Sequence, residues 1–174
     1  MHTGDEASQA TRLLLILLAG ALFSLIPGAP FLSRHGHPVL GASIYFFFSP
    51  VCHQFPHRSF FLDGLPWAVC HRCAGIYLGL FAGSLLPARW CASSLPVELR
   101  RRWALAASAP LVLDALLPYA GLWTNTPASR FATGSLFGVM LMTLLIPGAT
   151  EVFRALRVRP RGCAQPTEIQ GGYL

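Results

Sequence analysis

Four apolar runs set the first limit on what this chain can fold into. They extend over about Leu13 to Leu32, Pro66 to Leu86, Trp103 to Trp123 and Phe131 to Gly148. Each approaches the roughly 20 residues needed to cross ~30 Å of hydrocarbon. A backbone in lipid has no water to satisfy its N–H and C=O groups, so runs of this kind are expected to be helices. A further piece, "PVLGASIYFFFSPV" from Pro38 to Val51, is too short to span and predicts an interfacial or re-entrant helix. Pro27 and Pro30 should bend or end the outer part of the first run. Composition agrees: 53% of the residues are hydrophobic and 11% charged, where a soluble domain carries about 25% charged residues. The expected fold is all-α, a four-helix transmembrane bundle over residues 1–160 as a single domain, followed by a flexible cytoplasmic tail over 161–174.

All 13 basic residues are arginine, and they gather at the ends of the apolar runs rather than in a stripe interleaved with aromatics. That distribution predicts a lipid bilayer as partner and no nucleic acid. With four spans, Arg12, the four arginines from Arg89 to Arg102 and the four from Arg154 to Arg161 fall on one side. Arg34, Arg58, Arg72 and Arg130 fall on the other. The richer side should be cytoplasmic, which predicts a multi-pass protein of the cell (inner) membrane with both termini inside. The leader "MHTGDEASQATR" sets Asp5 and Glu6 against Arg12, a poor n-region for a cleaved signal, so the first run is read as a retained span. Gly75, Gly79 and Gly83 recur every four residues in the second span, and Gly134 and Gly138 in the fourth. Small residues at that spacing let helix backbones approach closely, either inside one bundle or across a homo-oligomer seam.

Chemistry concentrates in one stretch, "CHQFPHRSFFLDGLPWAVCHRCAGIYLG", Cys52 to Gly79. Cys70 and Cys73 stand three apart, on what should be one face of a helix opened by Pro66. A helix N-terminus and the neighbouring Arg72 both favour thiolate, which is at once a metal ligand and a redox nucleophile. Cys52 and His53 bring a third sulfur and an imidazole from the preceding loop, with His57 as the alternative nitrogen. Cys52, His53, Cys70 and Cys73 together would suit tetrahedral zinc or another thiophilic ion. One Cys-x-x-Cys pair is half of the usual zinc signature, and "CHRCA" lacks the histidine that haem attachment needs after the second cysteine. A structural disulfide is the bland alternative. Cys91 and Cys163 fall on the cytoplasmic side and read as reduced bystanders, and His35 and His37 as exposed loop residues.

Asp114 is the acidic residue inside a predicted span. A lone carboxylate at membrane depth must be paired, wet or protonated, so it counts as a site candidate with Arg72 or Arg130 as its partner. Candidate catalytic groups are thus Cys70, Cys73 and Asp114, and Arg58, Arg72 and Arg130 are candidate cofactor-binding groups.

The blocks "CHQFPHRSF", "CHRCAGIYLG" and "ASRFATGSLFG" resemble a family of prokaryotic membrane proteins, domain of unknown function number twenty eighty-five. The resemblance covers roughly residues 40 to 140. It places weight on Cys52, His53, Gln54, Arg58, Ser59, Cys70, Arg72, Cys73, Gly75, Tyr77, Arg130, Thr133 and Gly134. It implies a small integral membrane protein and carries no activity with it. By layout alone the chain is also similar to quinone-reducing disulfide-forming enzymes and vitamin K epoxide reductases, four-helix membrane proteins with an outer Cys-x-x-Cys. It departs from them in having no cysteine in the outer loop "TNTPASR". The leading expectation is therefore a metal-binding membrane protein. A thiol-disulfide oxidoreductase passing electrons from Cys70 and Cys73 to quinone is the first alternative, and a structural subunit with a disulfide staple is the second.

Overall fold

A computed structural model describes residues 2–87, 96–122 and 124–157. Five α-helices account for most of them: α1 (His2–Arg34), α2 (Pro38–Phe48), α3 (His71–Leu85), α4 (Val97–Leu116) and α5 (Pro127–Arg157). Between α2 and α3 lie a short 3-10 turn (Pro56–Arg58) and two strands, β1 (Ser59–Leu62) and β2 (Leu65–Cys70). The fold is thus mostly helical with a small sheet that an all-α reading leaves out.

The hairpin is the first correction. Residues Pro66 to Cys70, expected as the opening turn of a helix, form strand β2 paired antiparallel with β1, with Leu62 opposite Leu65 and Ser59 opposite Cys70. The cause is Asp63-Gly64, whose φ values of 52° and 81° are the two left-handed positions of a type I′ turn. That turn returns the chain on itself, and Pro66 then sits opposite Phe61 on an edge strand, where its missing N–H is tolerated. Helix α3 consequently starts at His71.

Helix α1 supplies the second correction. It runs through Pro27 and Pro30 without ending. Ile26, Ala29 and Pro30 are fully buried there, so packing carries the helix on across the missing N–H groups. Gly41 of α2 lets that helix lie against this segment, since a methyl group at Gly41 would stand 2.8 Å from the Ala29 carbonyl.

Among the described residues two helices are long and apolar enough to cross a membrane, over Gln9–Arg34 and Pro127–Phe153. Only 22% and 28% of their apolar windows are buried, unlike the core helix of a soluble protein. Leu13, Leu17, Leu136 and Val152 are among the large apolar side chains left on their outer faces. Helix α3 has 15 residues, about 22 Å at 1.5 Å per residue, short of the hydrocarbon thickness. The third apolar run predicts a span over Trp103 to Trp123. Helix α4 instead begins at Val97, so Glu98 and the arginines at 100–102 dilute its first turns, and it ends at Leu116. The tail over 161–174, Arg89, Cys91 and Cys163 lie outside the described residues.

Helices α3 and α5 run parallel and pack most tightly. Gly75, Gly79 and Gly83 face Phe131 to Met142, while Gly134 and Gly138 face Arg72 to Leu80. A methyl group at Gly79 would come 2.8 Å from the Val139 nitrogen, and one at Gly83 would come 2.8 Å from Met142 Cβ. Both glycine series are therefore used within one chain, where close backbone contact replaces side-chain interdigitation. Helix α1 runs antiparallel to α3: Arg12 donates to the carbonyls of Ser84 (3.2 Å), Leu85 (3.1 Å) and Leu86, satisfying the C-terminal end of that helix. At the opposite end the start of α3, the end of α4 and the start of α5 converge, and this is where the chemistry lies.

Candidate metal centre

Three segments deliver one sulfur each. Cys52 follows α2 directly, its N–H bonded to the Phe48 carbonyl at 3.0 Å. Cys70 ends β2 and caps α3, and Cys73 sits in the first turn of α3. Cys70 and Cys73 are therefore not two positions on one helix face, as the spacing alone suggests. The pair is formed at a strand-to-helix corner, and Cys52 approaches it from the loop. The Cys70 N–H donates to Cys52 Sγ at 3.2 Å, and the three Sγ atoms all lie within 4.8 Å of one another. All three thiols are unbonded.

This spacing can be tested against an ion. Three sulfurs at ~2.3 Å from a tetrahedral zinc are about 3.8 Å apart, so the observed upper limit needs only a small inward movement. A disulfide would require ~2.05 Å. The donor set thus fits a soft cation through three thiolates. His53 does not belong to the close set; its ring lies against Phe55, with centroids 5.7 Å apart. His57 also meets Phe55, with centroids 5.6 Å apart. His35 and His37 are exposed.

What holds the Cys52 loop is Gln54. Its backbone is left-handed, with φ 53°, and its amide nitrogen donates to the carbonyls of Tyr45 (2.7 Å) and Ala68 (2.8 Å). One side chain thereby ties the loop to α2 and β2 at once. The Tyr45 hydroxyl in turn donates to the Pro66 carbonyl. Beneath the sulfurs, Ile26, Ala29, Phe48, Ala68, Val69 and Ala74 form a dry core that includes Cys52, which is 6% exposed. Electrostatics follow from contact between the thiols. Cys70 is held well below the ordinary thiol range, first by its hydrogen bond with Cys52 and then by Cys73. Cys52 is raised, chiefly by the thiol–thiol hydrogen bond to Cys70 and then by burial, while the Cys70 N–H works the other way. Of these two thiols, Cys70 is the one this contact favours as thiolate.

Next to the sulfurs Asp114, 6% exposed, pairs with Arg72 at 2.5 Å. It also accepts from Ser129 Oγ at 2.9 Å. Arg130 does not reach it. That guanidinium donates through Nε to Asn125 Oδ1 at 2.9 Å, and through Nη2 at 2.5 Å. Asn125 is linked back to the Asp114 carbonyl at 2.9 Å. Arg58 lies over the Phe55 ring, 5.8 Å from its centroid. A cavity of about 440 Å³ brings the three cysteines, Arg58, Arg72 and Arg130 onto one lining.

Asn125, Ser129 and the clamping role of Gln54 escaped the sequence reading. The signal for the first two was present as Thr126-Pro127-x-Ser129, a helix start with proline at its first position. Thr126 and Ser129 exchange hydrogen bonds at 3.0 and 3.1 Å, which fixes the N-terminus of α5 beside Asp114.

Fold and site together define a small helical membrane protein with a three-thiol centre at one end. Residues 52–144, which contain every group of that centre, match the family described as "predicted membrane protein", domain of unknown function number twenty eighty-five. The chain belongs to that family. It is 30% identical over 141 residues to an uncharacterised protein of Methanocaldococcus jannaschii, covering 77% of this chain and 90% of that relative. It is 32% identical over 101 residues to one of Methanothermobacter thermautotrophicus, covering 56% of this chain and 86% of the relative. No solved structure matches.

Proposed function

We propose that this is a metal-binding integral membrane protein in which Cys52, Cys70 and Cys73 hold zinc or another thiophilic ion. The observation that carries the reading is the convergence of three unbonded thiols from separate segments within 4.8 Å, on the wall of one cavity. The test is metal analysis of the full chain purified in detergent. About one equivalent is expected, since three thiolates complete one site with one position left over, and it should be lost in Cys70→Ala. Absence of metal from the wild type after reconstitution with Zn²⁺ or Co²⁺ would defeat the reading.

The same three free sulfurs support a second reading, a thiol-disulfide oxidoreductase in which Cys70 and Cys73 cycle with Cys52 and pass electrons to quinone. Acid-quenched alkylation separates the two: a bond that quinone forms and reductant breaks belongs to the second.

The site lies on the extracytoplasmic side of a multi-pass inner-membrane bundle, with both termini inside. The arginine bias supports this, as does the placing of Arg12 with the end of α3, and of Arg72, Asp114 and Ser129 at the other end. A reporter inserted at Gly64 should be extracytoplasmic and one after Leu174 cytoplasmic.

A further inference from the structure

We propose that the cavity before the three thiols binds an oxyanion. Arg58 and Arg130 clamp it, and it reaches the coordination position that three cysteines leave open. The inference rests on the metal reading above and names the class of ligand that reading lacks.

Charge carries the first part of the argument. Of the three arginines on the cavity wall, Arg72 is neutralised by Asp114. Among the described residues no carboxylate lies within ion-pair distance of Arg58 or Arg130. Among those residues the Arg130 side chain donates to a neutral amide oxygen and Arg58 lies over an aromatic face. A divalent ion on three thiolates carries one net negative charge, so the two guanidiniums leave one positive charge uncompensated. Arg58 is exposed, whereas Arg130 is half-buried, and its charge there calls for an anion that Arg58 can reach from the solvent side.

Geometry carries the second part. Arg130 is half-buried, and Asn125 fixes its orientation while being itself tied to Asp114. A planar fork held in this way, with N–H groups to spare, matches the paired oxygens of a carboxylate or phosphate. No fourth His, Cys, Asp or Glu donor joins the sulfur set among the described residues. Three protein ligands with an open position is the pattern of sites that take an exogenous donor. Sulfurs and guanidiniums share a void of about 440 Å³, enough for a small ligand that touches both. A soluble oxyanion and a lipid headgroup phosphate present the same chemistry.

The full chain in a phosphate-free maltoside detergent, loaded with Co²⁺, provides the test. Sulfur-to-cobalt charge-transfer bands report the thiolates, and the d–d bands report the remaining ligand. Inorganic phosphate should shift the d–d bands saturably, and transfer into phosphatidylglycerol vesicles should do so without added phosphate if the headgroup is the source. A shift in either arm supports the inference and identifies the source. Arg130→Gln and, separately, the exposed Arg58→Gln should each weaken the phosphate response about tenfold or more, as expected for losing a charged hydrogen bond, while the charge-transfer bands persist. Charge-transfer bands with no d–d shift in either arm would overturn the inference and leave the metal site standing. So would a shift that both arginine variants retain. Absence of charge-transfer bands would remove the metal reading and this inference with it.

Discussion

The backbone N–H of Cys70 donates to the sulfur of Cys52 at 3.2 Å, across 18 residues of sequence. This contact makes one cluster out of a loop thiol and a strand-end thiol. The protonation pattern comes from the thiol–thiol contact of the same pair, which lowers Cys70 and raises Cys52, while this N–H by itself favours the Cys52 thiolate.

Metal binding should therefore release protons. Cys52, raised above the ordinary thiol range, is protonated at neutral pH and must lose its proton to bind a cation. Affinity then rises with pH, by about tenfold per unit for each proton displaced, and falls on acidification. Calorimetry of Zn²⁺ binding in buffers of different ionisation enthalpy measures the proton count; a count of zero would contradict the arrangement.

Gln54 should matter to the site without touching the metal. Gln54→Leu leaves the carbonyls of Tyr45 and Ala68 without their shared donor and frees the Cys52 loop. Metal affinity should drop by about 10- to 100-fold, as for other groups that hold a ligand in place. Competition with a chromophoric chelator reads this directly, and the helical circular dichroism should not change.

Asp114→Asn should destabilise the helix bundle because it leaves Arg72 facing a neutral group. Breaking a buried pair costs about 3–5 kcal/mol. Arg72 is 26% exposed, so about 2–3 kcal/mol is the better expectation. Arg72→Met combined with Asp114→Leu should be closer to wild type than Asp114→Asn alone, because no buried charge is stranded. Thermal unfolding in detergent ranks the three.

Two glycine substitutions should part company. Gly79→Ala drives a methyl group into the backbone of α5 at Ser135 to Val139 and should cost about 1–3 kcal/mol or more. Gly28→Ala meets nothing within 4 Å and should be neutral or stabilising by up to about 1 kcal/mol. Equal melting temperatures for the two variants would show that the α3–α5 seam is not as close as described.

A good part of this protein was legible before any coordinates. Apolar runs, arginines at their ends and glycines every four residues are local properties of the chain. They suffice for helices in lipid, because hydrocarbon offers a backbone few other states. The Cys/His stretch drew attention for the same reason: reactive side chains are conspicuous where everything else is apolar. The hairpin was legible too, in Asp63-Gly64 between apolar flanks, but helical spacing of Cys70 and Cys73 suggested the opposite.

By itself the sequence determined the solvent, the places where helices can form and the inventory of thiols and guanidiniums. Tertiary structure alone decided that Cys52 meets Cys70 and Cys73, that His53 turns to Phe55 instead, and that Asp114 takes Arg72 and leaves Arg130 to Asn125. The reason is physical. Periodicity reports which face of one segment avoids water, whereas these pairings depend on where a left-handed Gln54, a type I′ turn and the α3–α5 glycine seam aim three separate segments.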